Sequence, residues 1–154
     1  MTASRFSKAE WQTLQLAAPW VLSAILGHHR TFRPQESNAF WRSVERAARL
    51  TGGLAGEVLT SIAEDPAVLF EDFPADRRPV VSGLRQVVAI LDRQPAHEAD
   101  AFKHAIVVHV GAEVARARGP FGESMSLEDA QTLQLLATLL EMSADVTDLL
   151  DVAS

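Results

Sequence analysis

The chain has no cysteine among its 154 residues. That absence excludes disulfides, thiolate metal sites and a cysteine nucleophile. Long apolar runs are missing as well. The longest apolar-leaning stretch, "LQLAAPWVLSAIL" from Leu14 to Leu26, falls short of the roughly 20 residues that a bilayer-spanning helix needs. It reads as a buried helix, so no membrane span is expected. The opening "MTASRFSKAEW" lacks the apolar core of a secretory signal. Together with the missing cysteine, this points to the cytoplasm. Cations are outnumbered, with 14 Lys and Arg against 20 Asp and Glu, for a net charge of −6. Small local clusters exist at Arg77–Arg78 and at Arg116 and Arg118, but acids surround them. Phosphate-backbone binding draws on clustered Lys and Arg, so nucleic acid is not an expected partner. With 47% hydrophobic and 22% charged residues and no low-complexity linker, the composition suits a single globular domain over 1–154.

What is present is helical periodicity, almost throughout. Ser7 followed by Glu10 has the spacing of a capping box, so a helix begins there and carries Trp11, Leu14, Leu16 and Ala18. Pro19 lacks an N–H and clashes with the preceding turn, which predicts a kink or short break, with a second segment from about Trp20 to His29. After "HHRTFRP", Pro34 suits a first helical turn and Glu36 its positive end. Phe40, Trp41, Val44, Ala47, Ala48 and Leu50 then follow 3–4 spacing, and Gly52 and Gly53 stop that helix. A shorter helix spans about Leu54 to Ala63. "AVLFEDFPADRRP" reads either as a short helix or as a loop, with Leu69, Phe70 and Phe73 plugging the core. Val80 to Leu91 is helical again. His97 to Arg118 is apolar on most sides and is expected to be the central, most buried helix. Ser126 opens the last long helix, with Asp129 three positions on. The three tryptophans, Trp11, Trp20 and Trp41, are expected in the core. In "ADVTDLLDVAS", Val146, Leu149 and Leu150 share a face that packs either on the domain or on a partner chain. The fold class is therefore all-α, a single bundle of six or seven helices.

The chemistry-bearing groups give no catalytic signature. The bend "GPFGESMS" has no Lys and no strand before it, so it is no phosphate loop. Gly119 ending one helix and Ser126 capping the next accounts for its residues. His104 and His109 are five apart, which on an α-helix turns them about 140° away from each other. His28 and His29, as neighbours, likewise diverge, and there is no HExxH. Carboxylate pairs at Glu64–Asp65, Glu71–Asp72 and Glu128–Asp129 read as helix-end chemistry, and no G-x-S-x-G elbow is present. No cofactor is expected.

Two corners share one grammar. "AILGHHRTFRPQESNAF" and "EVARARGPFGESMSLEDAQTL" each end a helix, turn, place an apolar residue (Phe32, Met125), and set an acid four positions later (Glu36, Asp129). Physically, the apolar residue would staple the new helix and the acid would complement its positive end. The expectation is a repeat, with the helices after Pro34 and after Ser126 as counterparts. These corners resemble those of the tellurite-resistance TerB-like proteins, an all-helical family whose corners read Ala-Asp-Gly, a variable residue, Ile, three positions, then Glu. Phe32 and Glu36 match in the first corner, where His29 and Arg30 replace the Asp and Gly. In the second, Gly119, Met125, Ser126, Glu128 and Asp129 match, Arg118 replaces the Asp, and "PFGES" is extra. The opening "FSKAEWQTLQLAAPWVLSAI" is also similar to the start of bacterial stand-alone TerB-like proteins.

The resemblance implies divalent-cation corners and a place in stress-response assemblies at or near the membrane. Losing both Asp positions removes two hard oxygen ligands from a site that for calcium wants six or more. The resemblance thus makes His29, Glu36, Arg118, Glu128 and Asp129 the candidate corner site, with Arg118 pairing to Asp129 or Glu36 in place of a metal. The leading expectation is a non-enzymatic helical interaction module with a protein partner or a second copy of itself. The alternatives are a divalent-metal-binding protein and an enzyme using a carboxylate–histidine site.

Overall fold

The computed structural model describes residues 5–118 and 125–142. The glycine bend from Gly119 to Ser124 and the apolar face of Val146, Leu149 and Leu150 lie outside these residues. The described chain is an all-α bundle: α1 (Lys8–Ile25), α2 (Pro34–Leu50), α3 (Gly53–Glu64), α4 (Phe73–Ala75), α5 (Val80–Leu91), α6 (Ala96–His104), α7 (Glu113–Ala117) and α8 (Leu127–Leu139). Two stretches wind more widely as π-helix. Val68–Asp72 leads into α4, and Ala105–Ala112, here π1, joins α6 to α7. The expected helix from His97 to Arg118 is therefore one run over 96–117 with a π-helical middle.

The ends of α1 follow the chemistry read from the sequence. The Glu10 N–H donates to Ser7 Oγ at 3.1 Å and the Ser7 N–H to Glu10 Oε1 at 2.8 Å, the two halves of a capping box. The expected break at Pro19 does not occur, because α1 continues through it to Ile25. Every residue from Leu16 to Ser23 is buried. Burying that many apolar side chains, at about 1.5–3 kcal/mol for each large one, outweighs the roughly 3 kcal/mol cost of an interior proline. Burial is accordingly shared between α1 and the 96–117 run, and the latter is not alone at the centre. α1 packs on α5, π1, α3 and α8, while α2 packs on α3, π1 and α7.

The corner helices share π1 as a neighbour and differ in the rest, since α8 sits on α1 and α5. Ser126 caps α8 as its sequence position suggests, its Oγ accepting the Asp129 N–H at 3.1 Å. Met125 is fully buried beside that start. Phe32 does not act as a staple on α2. The position it would meet there is Ser37, and its ring stacks instead on Phe73 of α4, with centroids 6.0 Å apart. Leu69 and Phe73 plug the core as expected, but Phe70 is 52% exposed and edges against the half-buried Trp41. Of the tryptophans only Trp20 is fully buried, and Trp11 and Trp41 lie at the core margin.

Trp20 sets the distance between α1 and α5. A Cβ placed on Gly83 would come within 2.4 Å of the Trp20 indole, a rigid group with no free end to move aside. Arg78 closes the other approach. Its guanidinium lies 4.9 Å from the Trp20 ring centre and is held by Asp76 at 2.8 Å and by the Thr13 hydroxyl at 3.0 Å. In a free helix Gly83→Ala would gain about 1 kcal/mol. Here overpacking costs about 1–3 kcal/mol or more. We expect the variant to lower the denaturation midpoint at unchanged slope, and a raised midpoint would contradict the close approach.

Candidate functional site

The first corner is built by a helix end that reverses the chain. Gly27 (φ +93°) and His28 (φ +66°) both adopt the left-handed region, which Gly27 enters without steric cost. The reversal lets the His28 N–H donate to the Ser23 carbonyl at 2.6 Å, the six-to-one bond of a Schellman motif. The Ser23 hydroxyl then donates to the His29 carbonyl at 2.7 Å, fixing where the chain leaves the bend. His28 and His29 are both exposed.

Beyond the bend, Glu36 turns back on α2. One carboxylate oxygen accepts the Arg33 N–H at 2.7 Å, and the other lies 3.5 Å from the Arg33 guanidinium. The second corner reaches the first through Arg118. Its Nη1 donates to the Ile25 carbonyl at 2.6 Å, and its Nε lies 3.5 Å from Asp129 Oδ2. Of the two acids named for it by sequence, Arg118 thus pairs with Asp129 and not with Glu36. Asp129 is nearly buried. Burial pushes its carboxyl above the usual range, with Arg118 pulling the other way and Glu128 adding to the push. Glu128 itself is exposed.

His29, Glu36 and Arg118 line one open pocket of about 780 Å³ between the first corner, α2 and the end of α7. Glu128 and Asp129 are not in its wall, although Asp129 backs Arg118. Sequence reading missed two of the pocket's cations, Arg33 and Arg42. The available signal was the solvent face of α2, where Gln35, Ala39, Arg42 and Arg46 follow at spacings of three and four. Leu26, Ala39, Val114 and Ala117 supply the apolar part of the wall. Among the described residues no ion pair or hydrogen bond engages the exposed Arg42. A smaller groove shares Ala39, Arg42 and Ala117 with the pocket and extends it toward Arg46 and Glu113.

The π-helical register of π1 overturns one sequence expectation. His104 and His109 do not diverge, and their rings meet edge to face with centroids 5.0 Å apart. A wider turn brings positions five apart onto one face, where an α-helix would separate them. Glu113 stands one turn on, held by Arg116 at 2.6 Å and by Arg46 at 3.6 Å. Among the described residues, no three His, Asp or Glu side chains are grouped so as to hold a metal ion. No helix there is long and apolar enough to cross a membrane.

Compared with protein-family models, with curated proteins and with solved structures, the chain matches none.

Burial, with His104 and Arg46 beside it, holds the His109 imidazole below its ordinary value of 6.5, and Glu113 only partly opposes this. A histidine with a depressed folded pKa binds fewer protons when folded than when unfolded. Its contribution is therefore intact above the unfolded value and is lost as pH falls through 6.5 toward the folded one. Thermal melts should show stability declining as pH falls from neutral into this range, with a shallower decline in His109→Gln. An unchanged slope in the variant would contradict the half-buried neutral imidazole.

Proposed function

We propose that the chain is a TerB-like, non-enzymatic helical interaction module that works through the α1–α2 corner pocket, without a metal. The observation that carries this reading is Arg118. It stands where the resembled family would present an acid, and it binds the end of α1 and Asp129 through a guanidinium. Glu36, the other corner acid, has both oxygens on Arg33. A calcium ion wants six or more oxygen ligands, and these corners offer carboxylates already partnered by arginine. The donor set does not fit the cation that the resemblance implies.

The same geometry argues against catalysis. His29 and Glu36 share the pocket, but both carboxylate oxygens face Arg33, leaving no carboxylate to orient the imidazole as general-base work requires. What the pocket offers is an open, preformed surface with a mixed apolar and cationic wall, suited to binding. A role in stress response and a bacterial setting belong to this proposal through the resemblance alone, and the cytoplasmic setting belongs to it through the composition.

Two measurements test the reading. Thermal melts with calcium, with zinc and with chelator should coincide. A metal at about 100 times its dissociation constant would stabilise by about 2.7 kcal/mol, which a melt resolves. Calcium stabilisation that disappears in Glu36→Gln or Asp129→Asn would overturn the metal-free corner. In the native cell, a photo-crosslinker at Ala39, inside the pocket, should give adducts that one at Ser82, on α5, does not. Adducts at Ser82 only would place the working surface elsewhere.

A further inference from the structure

We infer that the corner pocket is a receptor for a phosphomonoester group carried on a small apolar or aromatic body. This rests on the pocket being the module's working surface. Among the described residues its lining holds three guanidiniums, from Arg33, Arg42 and Arg118, against the one carboxylate of Glu36. On a chain of net charge −6, such a concentration of cations is a local reversal of sign. Two of the three cations have acids beside them, Glu36 for Arg33 and Asp129 for Arg118. Among the described residues Arg42 has none, which leaves its guanidinium to take a ligand's charge.

The ligand chemistry follows from the wall. Guanidinium groups bind phosphate oxygens through paired N–H donors, and several converging on one cavity favour a dianion over a monoanion. Beside the cations, Leu26 and Ala39 give the wall an apolar part on which a ring or short chain can lie. A volume of about 780 Å³ suits a phosphomonoester with such a body, and exceeds what bare phosphate needs. A free metabolite and a lipid headgroup can both present this group.

The test is calorimetric titration of the full chain with phenyl phosphate and with inorganic phosphate at low ionic strength. Phenyl phosphate should bind, about tenfold or more tighter than inorganic phosphate. Arg42→Glu should abolish binding. Arg49→Glu makes the same change of net charge on an exposed α2 arginine outside the pocket, and should leave binding within about twofold. Both variants change exposed side chains, and melts confirm that each is folded. Absence of phenyl phosphate binding would overturn the inference, as would equal losses in the two variants.

Flotation with phosphatidylcholine vesicles doped with phosphatidic acid separates the sources. Arg42-dependent flotation supports the site with the phosphoryl group on a lipid, and phenyl phosphate binding without flotation supports it with a free ester. If phosphate fails while Ala39 still crosslinks a partner, this inference falls and the interaction module stands. If calcium occupies the corner, the module reading itself falls.

Discussion

Arg118 ties three helix ends together, and the arrangement of the site depends on it. It caps the end of α7, donates to the last turn of α1 through the Ile25 carbonyl, and pairs with Asp129 in the first turn of α8. Each contact has the right sign. The carbonyls ending a helix carry partial negative charge, and α1 has no basic residue of its own in its last turn. Arg118 supplies that cation from 93 positions away. Asp129, whose burial alone would discourage its charge, gains a partner. Arg118 thus bridges the two corners and turns Asp129 from an open ligand into an arginine's partner, as Arg33 does for Glu36. The pocket is left with a cationic wall.

The bundle behind the pocket is held by close approaches rather than by special chemistry. Trp20 lies against Gly83, fixing α1 on α5. Gly111 does the same for π1, since a Cβ there would meet Leu133 of α8 at 2.7 Å and Val21 of α1 at 3.0 Å. With α1 held on both sides, its C-terminal bend presents His29 at the rim of the pocket. Rigid helices then fix the positions of Arg42 and Arg118, which is the kind of support a binding surface needs to recognise one ligand geometry.

Much of this was legible in the sequence because it is local. The box at Ser7 and Glu10, Pro34 at the first turn of α2, the bounds of α5 and the cap at Ser126 each follow from residues within four positions of one another. What was not legible depends on tertiary packing. Pro19 breaks helices in isolation, but the burial of α1 is a property of its neighbours. Phe32 reads as a staple until Phe73, 41 positions away, supplies a better surface. His104 and His109 diverge on an α-helix and meet only because the run between them is π-helical, a register that side-chain periodicity does not reveal. Of the candidate site residues, Glu36, His29 and Arg118 came together on the pocket. Arg42 was overlooked because a solvent-facing arginine on an amphipathic helix carries no signal by itself, and Arg33 because it stands just before α2.

The central claim is that Arg118 is fixed between the end of α1 and Asp129. Nitrogen-15 NMR of the arginine side chains measures this most directly. A guanidinium bonded to the Ile25 carbonyl and paired with Asp129 should give a hindered Arg118 signal, with resolved Nη protons and an Nε resonance that moves in Asp129→Asn. A freely rotating Arg118 guanidinium, with averaged Nη protons and no response to Asp129→Asn, would contradict the account.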